Sequence, residues 1–149
     1  RISPLPGNVT TAKILGYAGL IPFFIFSIGS WIPLPIFDDA VAILIAYPAV
    51  ILSFIGAVHW GVVMSNNDDR HSMHLLASVV PSLVGWIALL IPVTPALFIL
   101  LFGFIIHILY DWSVHEKLVF PEWYLPMRVR LTSAVSICLA ASIIAVGVI

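Results

Sequence analysis

Five long apolar stretches, roughly residues 11–32, 40–65, 72–91, 95–115 and 130–149, run through this chain, and every Lys and Arg falls at alternate ends of them. Arg1 and Lys13 open the first stretch, Arg70 lies between the second and third, and Lys117, Arg128 and Arg130 lie between the fourth and fifth. The gap after the first stretch offers only Asp38 and Asp39, and neither the Pro92 to Pro95 turn nor the C-terminus carries a cation. About 20 mostly apolar residues cross roughly 30 Å of hydrocarbon as a helix, and cations are retained on the cytoplasmic or matrix side as spans insert. The pattern predicts an all-α integral membrane bundle of five transmembrane helices, with the N-terminus in and the C-terminus out.

Apolar residues make up 62% of the chain and charged residues 9%. Five spans of this length use most of the 149 residues, so a single transmembrane domain over residues 1–149 is expected, with no soluble domain beside it. A closed β-barrel requires apolar and polar residues to alternate, and residues 40–54 do not. The single Cys138 excludes a disulfide framework and a multi-cysteine metal site. A net charge of -1 without a basic stripe argues against nucleic acid. Residues 12–31 are too long and too rich in Pro, Trp and Phe to be the core of a cleavable signal.

Three spans carry an internal proline, Pro22, Pro48 and Pro81, each of which removes a helical hydrogen bond and favours a kink. Ala49, Ser53, Ala57 and Gly61 step by four along the second span and form a small-residue face on which another helix can pack closely. The short turn between the third and fourth spans predicts a tight antiparallel pair. Before the fifth span, residues 116–127 contain Pro121, Trp123, Tyr124 and Pro126. Trp and Tyr favour the headgroup level, so this segment is expected to lie flat on the inner interface until a helix begins near Arg130.

Counted from the inner ends at about 1.5 Å per residue, the polar side chains gather in one layer of the inner leaflet. His59, Ser78, Ser82, His107, Asp111, Arg128 and Arg130 belong to that layer, with Trp60 and Trp112 beside it. Charge in hydrocarbon is expensive and seeks partners. For Asp111 those are His59, His107, Arg128 and Arg130, and on a helix both His107 and His115 share its face. The layer reads either as a structural staple or as a ligand or proton site. A dedicated metal site is not expected, because His71 and His74 sit in a polar loop beside Asp68 and Asp69 and transition metals want three or four converging ligands. A tetrapyrrole could use His59 or His107 as an axial ligand. Ser78 or Ser82 with His59 and Asp111 could make a hydrolytic triad on paper, yet membrane serines usually bond helix backbones. No phosphate loop, nucleophile elbow or HExxH motif occurs.

The segment 46–61, ending in His59-Trp60-Gly61, resembles a known signature, as do residues 78–86, Asp111, and Pro121-Glu122-Trp123-Tyr124-Leu125-Pro126-Met127-Arg128 followed by Leu131-Thr132. They are similar to a five-span membrane family of unknown function that includes bacterial inner-membrane proteins and the mitochondrial transmembrane protein sixty-nine. Phe120 stands where that family often carries a small residue or leucine. The resemblance implies a bacterial or mitochondrial inner membrane and singles out His59, Trp60, Ser82, Asp111, Trp123, Tyr124 and Arg128; it brings no reaction. The five-helix tryptophan-rich sensory proteins are a poorer match, because residues 33–39 lack their proline- and tryptophan-rich first loop.

The leading expectation is a non-enzymatic accessory or assembly subunit that packs against a larger energy-transducing inner-membrane complex. Its partners would be membrane lipids and other integral membrane proteins, and it would need no cofactor. The alternative is a binding protein whose inner-leaflet pocket takes a quinone, a lipid or a tetrapyrrole, with His59, Asp111 and Arg128 as polar contacts and Trp60 and Trp112 as flat walls. A proton-coupled carrier ranks last, since the outer halves of the spans offer no polar path.

Overall fold

A computed structural model describes residues 6–65, 72–115 and 120–148. Among them the chain forms six α-helices: α1 (Pro6–Ala18), α2 (Ile21–Gly29), α3 (Ala40–Ser65), α4 (Ser72–Leu90), α5 (Val93–Val114) and α6 (Tyr124–Val148), with a 3-10 turn over Pro35–Phe37. Five segments are long and apolar enough to cross a membrane; α1 and α2 together make the first, Val9–Gly29. The five-span, all-α architecture is therefore the one expected. Arg1, Asp68, Asp69, Arg70, His71 and Lys117 lie outside the described residues.

The three prolines behave differently. α3 and α4 remain continuous through Pro48 and Pro81, whereas the first span breaks at Gly19 and Leu20, just before Pro22 in the first turn of α2. Proline has no N–H to continue the helical ladder. At this break the Gly19 carbonyl accepts a hydrogen bond from the Tyr47 hydroxyl at 2.9 Å, which ties the break to α3. Tyr47 also sets its ring edge-on against Phe23.

α3 is the central helix and packs on α2, α4 and α5, while α6 closes the bundle against α5 and α2. The most extensive contact joins α3 to α4, more extensive than that of the hairpin pair α4 and α5, although only Ile91 and Pro92 separate those two. Small residues explain this. A methyl group added at Gly85 would lie 2.7 Å from the Ala49 carbonyl oxygen, and one at Gly56 would collide with the Ser78 carbonyl oxygen. Backbone thus meets backbone at two levels. Part of the small-residue face of α3 is consumed inside the bundle, while Ala57 and Gly61 stay on its exposed side.

Phe23, Leu44, Leu52, Leu97, Leu100, Phe104 and Leu139 form the core. The outward faces are apolar as well, with Val50, Phe54, Leu83, Trp86, Ile106 and Ile137 exposed. A surface of this kind is solvated by lipid chains rather than water. In the half of the bundle remote from Lys13 and Arg130, Ser27 donates to the Cys138 carbonyl at 2.9 Å, and the Ser142 hydroxyl lies 3.2 Å from that of Ser30 and 3.3 Å from that of Ser27. These hydroxyls join α2 to α6 in a region that reads as plainly apolar in sequence.

Candidate functional site

α6 begins at Tyr124, six residues before the start expected from sequence. Pro126 falls in its first turn, where backbone N–H groups have no helical acceptor and proline costs little. The early start places Arg128 on the helix and inside the bundle, one turn before Thr132. Trp123 and Tyr124 turn toward the bundle, Trp123 half-buried and Tyr124 only 9% exposed, while Pro121 stays exposed.

Arg128 meets Asp111 of α5 in a buried cluster. Its Nε donates to Asp111 Oδ2 at 3.0 Å, one terminal nitrogen donates to the Thr132 hydroxyl at 2.9 Å, and the other lies 3.2 Å from His107 Nδ1. A guanidinium only donates, so His107 Nδ1 is the acceptor, and the proton of the neutral ring sits on Nε2. The second carboxylate oxygen of Asp111 accepts from His59 Nε2 of α3. His59, Asp111 and Arg128 are 0%, 1% and 4% exposed. Three helices are thereby joined by one carboxylate, whose charge is balanced by the guanidinium. The His59 ring packs edge-on against His107 and Phe120, with centroids 5.0 and 5.1 Å away, and Tyr110 is 5.2 Å off. Tyr110 in turn shares a 2.6 Å hydrogen bond with His74 Nδ1 on α4.

Four expected site residues, His59, His107, Asp111 and Arg128, come together, and the others do not. Arg130 is exposed and reaches Tyr17 at 3.4 Å rather than Asp111. Ser78 is buried but bonds the Leu75 carbonyl of its own helix, and Ser82 is exposed. His59 Nδ1 has no partner among the described residues, so no serine–histidine pair forms there. His115 points to the Trp112 carbonyl and not to Asp111. Trp60 and Trp112 are exposed. Each follows a buried cluster residue by one position, which is about 100° around a helix of 3.6 residues per turn.

Beside the cluster lies a cavity of about 520 Å³ between α1, α3 and α6. Arg128 and Thr132 reach it from α6, Phe23 and Phe104 line it from α2 and α5, and Phe120, Trp123 and Tyr124 stand at the end nearest Lys13. Its remaining walls are apolar. α1 packs lightly on α6 and not closely on α3. Leu15 of α1 and Phe54 of α3 both line the cavity and are 67% and 66% exposed, so the cavity opens laterally on the apolar surface between these helices. Two residues of its lining each bury a polar atom, Trp123 Nε1 and the Tyr124 hydroxyl, without a hydrogen-bond partner among the described residues. A smaller hollow of about 270 Å³ between α3, α4 and α5 reaches His107 and Tyr110. An inner-leaflet pocket with Arg128 as a polar contact was one expectation from sequence; the walls of this cavity were not, and Trp123 and Tyr124 stood out there only as interface residues.

His59, His107 and Asp111 also place one ligand atom each within 4.8 Å of one another, a closer gathering than the spacing suggests. Arg128 contacts Asp111 Oδ2 and His107 Nδ1, so a cation there competes with a guanidinium already in place.

No solved structure matches the chain. It is 33% identical over 137 residues to Transmembrane protein 69 of Xenopus tropicalis, a match that takes in 89% of this chain and 53% of the relative. The chain thus spans about half the length of the curated relative it matches. Residues 8–144, the whole of the bundle but its ends, match a family profile. The chain belongs to the family described as Protein of unknown function (DUF3429).

Proposed function

We propose that this protein is a non-enzymatic binding protein for an amphiphile dissolved in the membrane, held in the lateral cavity between α1, α3 and α6. The observation that carries the reading is the cavity itself. Its volume of about 520 Å³ falls in the range of about 300–1,000 Å³ usual for small-molecule sites, which are mostly apolar with a few converging polar groups. The mouth between Leu15 and Phe54 admits a ligand from the bilayer without passage through water. The cluster on Asp111 fixes α3, α5 and α6 around the polar end, so the site is rigid where recognition occurs. The cations beside it, Lys13 and Arg130, favour the cytoplasmic or matrix leaflet by the usual retention of positive charge, in a bacterial or mitochondrial inner membrane.

Mass spectrometry of protein extracted in mild detergent tests this. A molecule retained in defined stoichiometry by the wild type and lost in Ile51→Trp, which fills the cavity from α3, is the expected result. A ligand-free wild type, with an unfolding midpoint unmoved by added lipids or quinones and equal to that of Ile51→Trp, overturns the reading.

A second reading, an accessory subunit of a larger membrane complex, draws support from one surface. Ala57, Trp60 and Gly61 are exposed together on α3, and nothing lies within 4 Å of a methyl group added at Gly61. Gentle extraction into a particle much larger than the chain, lost in Gly61→Leu, supports it; a monomer from membranes whose other complexes survive removes it.

A further inference from the structure

We infer that the cavity's ligand carries a neutral carbonyl-bearing head group, of the quinone class, which accepts hydrogen bonds from Trp123 Nε1–H and the Tyr124 hydroxyl. The inference rests on the binding role proposed above and adds the chemistry of what is bound.

The first argument is the state of the donors. An indole N–H only donates, and a buried donor left without an acceptor is costly. Trp123 Nε1 is buried with no partner among the described residues, and the Tyr124 hydroxyl is buried beside Arg128, a guanidinium that can only donate and so offers the phenol O–H no acceptor. Both residues line the same end of the cavity. The end therefore asks for an oxygen that accepts.

Charge decides which oxygen. Arg128 is the one cation among the described residues of the lining, and all three of its nitrogens are engaged, one of them with the Asp111 carboxylate. The pair is neutral as a unit. A phosphate or carboxylate head group would bring a second negative charge close to Asp111 in a low-dielectric interior, with no free cation among the described residues of the lining to offset it. That argument disfavours anionic phospholipids and the propionates of a tetrapyrrole. A ketone or quinone oxygen is strongly accepting and uncharged.

Shape agrees. Phe120 and Tyr124 stack at 4.9 Å with their planes 7° apart, which gives the polar end a flat aromatic side. From Tyr124 to Val135, both in the lining, α6 rises about 16 Å at 1.5 Å per residue. That length holds one ring and a short isoprenoid chain, and a longer chain continues into lipid between Leu15 and Phe54.

The test uses the full chain in phosphatidylcholine nanodiscs, titrated with a benzoquinone bearing two isoprene units. Controls are the same chain on an unsubstituted benzene ring, and phosphatidylglycerol. Binding is read from the unfolding midpoint, which a native-state ligand raises by mass action. The quinone is expected to raise it saturably, and the carbonyl-free analogue not to. Trp123→Phe and Tyr124→Phe should each weaken the quinone by roughly 2- to 10-fold, the value of one net hydrogen bond, with unliganded midpoints near that of the wild type. Ile51→Trp should abolish it. Phosphatidylglycerol binding that Ile51→Trp abolishes, without quinone binding, overturns the head-group inference and leaves the cavity reading standing. Quinone binding indifferent to both donors also overturns it. No binding sensitive to Ile51→Trp by any of the three ligands overturns both.

Discussion

The Asp111–Arg128 pair makes an unequal prediction about its two partners. Asp111→Asn keeps the size and much of the hydrogen bonding of the side chain but removes the carboxylate charge. Arg128 then remains among α5 and α6 as a buried cation, and a guanidinium does not shed its proton. Breaking a buried pair from one side costs about 3–5 kcal/mol. Arg128 lies in the second turn of α6 and is long enough to move its head toward the interface, which brings the expected loss to about 3 kcal/mol. Arg128→Met is gentler, at about 2 kcal/mol. It loses the bonds to Asp111, Thr132 and His107, but the carboxylate it leaves can take up a proton or share one with His59. The double variant has no orphaned charge and is expected to cost about 2 kcal/mol, less than Asp111→Asn alone. Unfolding in mixed micelles by increasing sodium dodecyl sulfate, followed through tryptophan fluorescence, measures all three. Strict additivity, or a loss below about 0.5 kcal/mol for each single variant, would refute a coupled buried pair.

Two further variants probe the scaffold that holds the site. Tyr47→Phe removes the hydroxyl that satisfies the Gly19 carbonyl and should cost about 0.5–1.5 kcal/mol in the same unfolding assay, with faster hydrogen exchange confined to α1 and the start of α2. Gly85→Val inserts a side chain where a single methyl already meets the Ala49 carbonyl at 2.7 Å; a loss of about 1–3 kcal/mol is expected, and a cross-link between cysteines placed on the facing sides of α3 and α4 should slow.

The spans and the choice of Asp111, His59 and His107 were legible because depth and helical spacing are one-dimensional properties that a chain displays directly. Arg128 and Arg130 were harder to separate. Pro121 and Pro126 signal a loop, and a helix starting at Arg130 leaves both arginines near its mouth; only a start at Tyr124 gives one of them an inward direction. The aromatic walls failed for a related reason. Trp60 and Trp112 adjoin His59 and Asp111 in sequence, but the next residue on a helix points about 100° away from its neighbour's face. Trp123, far from both in sequence, reaches the cavity because the segment before α6 folds inward. The cavity lies where α1, on the N-terminal side of the break at Gly19 and Leu20, does not pack closely on α3 as α2 does, and Pro22 signals a kink there without its direction. The serine contacts of Ser27, Ser30 and Ser142 escaped because single hydroxyls hardly alter the hydropathy of a span.

The same cluster poses a question about metals that Arg128 answers. His59, His107 and Asp111 offer a nitrogen, nitrogen and oxygen set within 4.8 Å, ligands that suit zinc or cobalt. The guanidinium already neutralises the carboxylate at Oδ2 and orients His107 through Nδ1. A divalent ion would have to displace it and would then leave a second cation beside its own charge. Wild-type protein is therefore expected to show no visible cobalt absorption after dialysis against excess metal. Arg128→Met frees both ligand atoms and removes the repelling charge, so it should bind cobalt with ligand-field bands that zinc displaces and that His59→Ala abolishes. A cobalt spectrum in the wild type that depends on His59 would show that the guanidinium is not the resident counter-charge of Asp111. The unequal costs argued for the two partners would then have no basis, because the metal and not Arg128 would balance the carboxylate.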